Sequence, residues 1–543
     1  MSKTGQSITN QDDILKRIEE FYTDLYASAL QDTPTQDIGE QADPLPDITA
    51  SEVRHSLGKM SNDKAVGADD ISMEAMKADD AVLHRELAKL FTNCLKQNKT
   101  PDNWKSSRMV LIHKKGDNRN LKNYRPISIL SNVYKLYTKA LTNRLQRQLD
   151  DSQPPEQAGF RSGYSTMDHI HAINQLREKC TEYQKPLCIA LVDFEKAFDS
   201  VETRAVLTSL EKQGIQKEYI STLAEIYTGG YATTTLHKES DHIPIRKGVR
   251  QGDTISPKLF TASLEDIFRD LDWDHIGVPI NGCRLNNLRF ADDVALIAEN
   301  MKDIEICLND LSVASRARGL RINMEKTKIL RNPHAAQGAV RIGNTVIEEV
   351  GSYVYLGHKI SLQSKDMGGE VTRRTQAGWR AFKENADILK GNVPMSLKRK
   401  LYNQCVLPAM TYGSETWTMT KAMERKLQAA QRNMERSMLG ITWSDRKTNE
   451  WIRAHTKVAD VLEVVKDRKW KWAGHISRMQ DNRWTAQLTD WRPRDGKRGR
   501  GRPSKRWRDE LDSYWRSVAW KGHAQDRIKW KQHAEAFIQR VDR

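Results

Sequence analysis

Residues 185–199 read KPLCIALVDFEKAFD. The unbroken apolar run 187–192 predicts a buried strand, and it ends on a carboxylate, Asp193. Asp199 is placed to cap a following helix, with Glu202 three residues on as in a capping box and Gly214 near the helix end. A second stretch, residues 288–298, reads LRFADDVALIA. Two apolar strands flank Ala291-Asp292-Asp293 there, so the acidic pair is expected at the tip of a tight hairpin. Adjacent carboxylates flanked by buried strands repel, by roughly 1 kcal/mol at about 4 Å in water and about 4 kcal/mol at an effective dielectric of 20. A divalent cation turns that repulsion into attraction. Mg²⁺ takes oxygen ligands and is usually held by one or two carboxylates plus substrate phosphates. Asp193, from a neighbouring strand, would complete a two-metal site clamping an in-line phosphoryl transfer. An isolated Asp-Asp is ordinarily a solvated turn; two acidic strand ends of this kind shift the balance.

Outward from these strands, the 543-residue chain holds 38% hydrophobic and 29% charged residues, a globular balance. It has no run of about 18 uncharged apolar residues, so no membrane association is expected. The N-terminus has neither a hydrophobic signal core nor an Arg-rich presequence, so an intracellular location, nucleus or cytoplasm, is expected. Lys and Arg total 87 against 71 Asp and Glu, a net +16. Residues 1–50 carry −7 of that balance, which leaves +23 on the rest. Such a charge suits a polyanionic partner, nucleic acid above all, or serves solubility. The six cysteines have no zinc-type spacing and read as free, mostly buried thiols.

Four regions follow. Residues 1–50 read as a helix over 12–29 and a Pro- and Asp-rich linker, 32–47. Residues 51–364 alternate helices and short strands. Residues 365–450 are mostly helical. Residues 451–543 are a small, mostly helical, basic region; ten of the 14 Trp lie at or beyond Trp443. Within it, residues 492–508 hold nine basic residues and one acidic one, with Gly and Pro that keep the segment extended. It reads as a flexible arm that follows a nucleic-acid groove, with Arg498, Arg500, Arg502, Lys505 and Arg506 as contacts. Trp470, Trp472, Trp484 and Trp491 alternate with cations and suit either base stacking or the packing of a small domain.

LVDFEKAFD (191–199), GVRQGDTISP (248–257) and FADD (290–293), in this order, resemble the palm motifs of reverse transcriptases. Residues 107–145, 157–169 (QAGFRSGYSTMDH), 319–327 (GLRINMEKT) and 353–357 (YVYLG) are similar to further motifs of the enzymes of non-LTR, LINE-like retrotransposons. The resemblance runs from about residue 50 to 445. It implies an α+β right-hand polymerase: fingers, a palm with an antiparallel sheet, and a helical thumb at 365–450.

The resemblance also implies roles. Asp193, Asp292 and Asp293 would hold two Mg²⁺ ions, or Mn²⁺ in their place, with Phe194 offering only a backbone carbonyl. Phe198 would floor the sugar pocket against a ribose 2′-hydroxyl, where spacing alone reads it as a core aromatic. Arg125 and Lys114, or Lys115 beside it, would meet the incoming triphosphate from a Gly-containing turn. Gln251 would hydrogen-bond the nucleotide or template, Gly248, Arg250 and Gly252 would lie against the template–nucleotide pair, and Lys326 would lie near the leaving pyrophosphate. Ser256-Pro257 is expected to start a helix. The implied partners are an RNA template, a DNA primer and deoxynucleoside triphosphates. Such elements carry a target-nicking endonuclease ahead of the polymerase; only about fifty residues precede the fingers here, so a truncated copy served by an endonuclease in trans is expected. The competing expectation is a catalytically inactive RNA-binding scaffold that keeps the polymerase fold and needs the basic groove but not the carboxylates.

Overall fold

The computed structural model describes residues 8–28, 45–78, 81–363, 367–499, 501, 503–517 and 519–540. Most of the expected 32–47 linker, and Arg500 and Arg502 of the basic arm, lie outside the described residues. The chain divides into two units, each assembled from separated segments. The first takes residues 1–163, 193–272 and 308–324; the second takes 164–192, 273–307 and 325–543.

In the first unit the helix Gln11–Tyr26 starts where Asn10 accepts the N–H groups of Asp12 and Asp13. It ends earlier than the expected 12–29, at Ala27, whose backbone turns extended. Ile18, Tyr22 and Tyr26 pack on Met109, Ala232 and Ile243. Those three residues belong to a sheet ordered Tyr124–Ile129, Ser106–His113, Tyr231–Thr233, Ile243–Pro244. The first pair is antiparallel, with Ile112 opposite Arg125, and encloses the Gly-containing turn that carries Lys114. The helix Ser256–Arg269 has Pro257 in its first turn, where a missing N–H costs nothing.

The second unit is built on an antiparallel sheet ordered Lys328–Arg331, Cys188–Val192, Asp293–Ala298, Asn287–Phe290. Cys188–Val192 is buried along its whole length, as an apolar run without alternation requires. Ile189, Leu191, Leu288, Ala295, Ile297 and Leu330 share a core with Ile173 and Leu176 of the helix Thr166–Glu182. Trp484, Leu488 and Trp491 belong to the same core. The C-terminal region is therefore packed into the palm sheet. Residues 367–450 are mostly helical, from Gly368–Glu384 to Lys421–Leu439 and beyond, around Phe382, Tyr402, Met410 and Trp417.

For the tryptophans, packing prevails. Trp470 and Trp530 stack at 3.7 Å between centroids, and each indole N–H donates to the other's carbonyl, at 2.9 and 3.0 Å. Trp472, Trp484, Trp491, Trp507 and Trp520 are likewise buried. A ring enclosed by its own chain has no free face for a base. No described helix is long and apolar enough to cross a membrane.

Candidate active site

The hairpin expected around residues 291–293 is present in a sharper form. Phe290 pairs with Asp293, so Ala291 and Asp292 alone make the turn and Asp293 opens the second strand. A two-residue hairpin of this kind needs positive φ at its first central residue, and Ala291 has φ +55°. An L-residue there stores about 1–2 kcal/mol of strain. Ala291 is buried, Asp292 is half-buried and Asp293 is exposed. Behind the turn, Val192 lies opposite Val294, so Cys188–Val192 ends level with the start of Asp293–Ala298. Asp193 is the next residue of the chain. Among the described residues no three His, Cys, Asp or Glu side chains converge closely enough to hold a metal ion.

Two features near the carboxylates had no signal in the motif spacing. Tyr355, from YVYLG, is buried, and its hydroxyl has no hydrogen-bond partner among the described residues. Burial, with the charge of Asp293 adding to it, holds that phenol neutral well above its usual range. In the first unit, the Asp193 carbonyl accepts the Asn323 N–H at 2.8 Å, and Phe194 bridges Ile322. The segment GLRIN therefore runs antiparallel beside VDFE.

Asp199 is the largest departure. It lies inside a short helical turn, Ala197–Ser200, and the helix Thr203–Lys212 takes Glu202 as its N-cap residue with no side-chain cap bond. Asp199 is instead 3% exposed, and its Oδ2 accepts the Gln251 side-chain amide at 3.0 Å. Burial pushes its pKa up to about 7, against the opposing pull of Lys196, the Gln251 bond and Arg125. The capping-box reading fails because the carboxylate is consumed by a tertiary contact. Gly214, just past the C-cap Gln213, does end that helix with φ +75°.

That contact straps two motifs together. The Val249 N–H donates to the Phe198 carbonyl and the Gly248 N–H to the Val201 carbonyl, both at 2.7 Å. A Cβ on Gly248 would fall 2.8 Å from the Asp199 carbonyl oxygen, and one on Gly252 would fall 2.7 Å from that of Ser128. These glycines are required by the protein's own backbone before any nucleic acid is considered. Phe198 is half-buried, stacked on Phe260 at 4.5 Å and edge-on to Phe160 at 6.2 Å.

The cationic residues separate into groups. Arg125 is exposed on its strand, Lys114 is exposed where its N–H joins the Asn123 carbonyl, and Lys326 is exposed in the turn before Lys328–Arg331. Arg250 must be corrected. It is 4% exposed, donates to the carbonyls of Trp104 and Ile226 at 2.9 and 3.0 Å, and lies over the rings of Tyr134 and Tyr227. A guanidinium so enclosed is a structural clamp and is unavailable to a template. The arm also departs from the free, extended segment expected. Arg498 and Arg506 pair with Glu182, each at 2.9 Å from Nε, and Lys505 pairs with Glu510 at 2.8 Å. Trp507 anchors the arm's end, fully buried with its indole N–H on the Glu415 carbonyl.

A family model described as reverse transcriptase (RNA-dependent DNA polymerase) matches residues 112–360. A transposon-derived protein of Caenorhabditis elegans is 39% identical over 240 residues, covering 43% of this chain and 86% of that protein. The Pol polyprotein of the type-1 retrotransposable element R2 of Popillia japonica is 28% identical over 375 residues, 66% of this chain and 50% of that one. The RNA-directed DNA polymerase of the mobile element jockey of Drosophila melanogaster is 22% identical over 420 residues, 74% of this chain and 45% of that one. The chain thus spans half or less of the length of these two larger proteins.

Proposed function

The chain belongs to the reverse transcriptase family, and on that premise we propose that it extends a DNA 3′ end on an RNA template as the polymerase of a non-LTR retrotransposon. The strand register carries the reading: with Val192 opposite Val294, acidic residues fall at the ends of paired, buried strands instead of being scattered through loops. Asp193, Asp292 and Asp293 are the proposed metal ligands, which bound ions would have to draw together, since among the described residues no three such side chains converge. Reverse transcriptases depend on divalent ions, and a donor set of carboxylate oxygens alone suits Mg²⁺, or Mn²⁺ in its place. Two ions held there would stabilise charge on the attacking and leaving oxygens of phosphoryl transfer.

The chain's own side chains supply positioning. Arg125 brings a planar fork, and Lys114 a point charge, to the incoming triphosphate. Phe198, backed by Phe260, floors the space beneath C2′. Gln251, its amide fixed by Asp199, meets the nucleotide or template, while Gly248 and Gly252 keep that loop close. The primer 3′-oxygen attacks the α-phosphate, a P–O bond forms, and pyrophosphate leaves past Lys326. RNA template and primer binding follow from the family; deoxynucleoside triphosphates, an endonuclease acting in trans, and a nuclear or cytoplasmic location complete the proposal.

Primer extension tests it, using purified protein, oligo-dT on poly-rA, dTTP and Mg²⁺. Asp292→Asn removes one charge and one strong oxygen donor, so extension should fall by orders of magnitude while template–primer binding persists. Near-normal extension by this variant would refute the metal assignment, and no extension by the wild type would refute the polymerase reading.

A further inference from the structure

We propose that Trp443 is a base-stacking platform for single-stranded RNA, outside the carboxylate hairpin. Trp443 is 73% exposed, whereas every other described tryptophan is at or below 36%. A ring of this size left in water is the exception in a folded chain.

The ring is nevertheless held. Trp443–Asp445 forms a short turn in which the Asp445 carboxylate accepts the Thr442 N–H and hydroxyl, at 2.6 and 3.0 Å. One face of the indole lies on the Arg436 guanidinium, 4.0 Å from the ring centroid. Arg436 is itself 6% exposed and donates to Asn449 Oδ1 at 3.0 Å, so the support is fixed. With one face on a locked cation and most of the ring in solvent, a nucleobase can add to the open face and complete a base–Trp–Arg stack.

The segment around the ring offers two cations, Arg446 and Lys447, against two acids, Asp445 and Glu450, and the Asp445 carboxylate is engaged within the turn. Residues 442–450, TWSDRKTNE, are all exposed, and Trp443 is the sole large apolar residue among them. The core of a protein interface is depleted in charge, whereas Trp443 is followed closely by Asp445, Arg446 and Lys447, all exposed. Lys447 lies 4.9 Å from the ring of Trp451, which stacks on His455 at 3.7 Å. Aromatic rings interleaved with cations along one short segment suit an unpaired strand, because its bases expose their π-faces and its phosphates lie alongside. The choice of RNA rests on the proposed function, in which the template is single-stranded RNA.

Full-length protein would be titrated with a mixed-sequence single-stranded RNA, without nucleotides or divalent ions, at several salt concentrations. Trp443→Ala should weaken binding by about five- to a hundredfold, with the log–log salt slope unchanged, because every cation that meets a phosphate is still in place. Trp443→Phe should recover most of the affinity. Arg446→Ala and Lys447→Ala should each lower the slope by about 0.7. Blunt duplex RNA should bind Trp443→Ala as it binds the wild type. Unchanged RNA affinity in Trp443→Ala, an equal loss on duplex, or a loss confined to single-stranded DNA would overturn the proposal. So would a Phe variant as weak as the Ala one together with a lowered melting temperature, which would make the ring structural. The readout is binding alone, so a wild type that extends no primer would refute the polymerase reading and leave this measurement intact.

Discussion

At Asp199 a carboxyl group sits in a nearly closed interior with one amide bond, from Gln251, and burial raises its pKa to about 7. Folding therefore favours its neutral form. Its contribution to stability is complete below the unfolded value near 3.8 and is lost as pH rises through about 7. Asp199→Asn keeps a neutral acceptor for Gln251. Thermal melts should find this variant more stable than wild type at pH 8, by an order of a few kcal/mol, with the difference closing toward pH 4. A difference independent of pH would refute the assignment. At Phe198 the stack on Phe260 lets one ring act as floor and packing element together. Phe198→Ala should raise rUTP incorporation relative to dTTP on poly-rA, at a stability loss of no more than about 3–5 kcal/mol. Only a changed ratio supports the gate; joint loss of both activities marks a structural ring.

At the level of elements, the basic arm divides into a bound part and an exposed part. Arg498 and Arg506 are held by Glu182 on the helix Thr166–Glu182, whereas Arg492, Arg494 and Lys497 are exposed. Deleting 492–508 would also remove Trp507 from the core, so point changes are the cleaner test. Replacing Arg492, Arg494 and Lys497 with Ala should reduce the salt slope of RNA binding by about 0.7 for each cation that meets a phosphate. Arg506→Ala should leave the slope as it is and cost about 0–1 kcal/mol, the usual worth of a half-exposed ion pair. The opposite pattern would show that Glu182 releases its arginines to the nucleic acid.

For the molecule as a whole, the decisive fact is that chain order and core membership disagree. Trp484, Leu488 and Trp491 share a core with Ile189, Leu191 and Ile297, about two to three hundred residues earlier in the chain. A fragment of residues 1–450 contains every palm motif yet lacks those three side chains. Each tryptophan removed from such a core costs roughly 3–5 kcal/mol, against a total stability of about 5–15 kcal/mol. The fragment should therefore lose primer extension, and limited proteolysis should cut within residues 273–363 while leaving the 106–129 hairpin of the other unit protected. Full activity in the fragment would mean that the palm sheet folds without its C-terminal cover.

Taken alone, the sequence determined whatever depends on neighbours along the chain. Apolar runs bounded by Asp193 and Asp292-Asp293 specify buried strands and a hairpin, Pro257 specifies a helix start, and Gly214 a helix end. Motif order made the reverse transcriptase resemblance legible for the same reason. What distant segments do to one another had no local signal. Asp199 reads as a cap by spacing, and only the approach of Gln251 turned it inward. Arg250 reads as a groove residue by position, and only the carbonyls of Trp104 and Ile226 enclosed it. The C-terminal tryptophans read equally as stacking surface or core, and folding buried seven of the ten, left Trp451 and Trp515 half-buried, and left Trp443 outside. The physical reason is common to all three. Propensity and periodicity fix which face of an element is apolar, but the environment of a polar or amphipathic side chain is set by the partner brought to it, and that partner is chosen only when the whole chain packs.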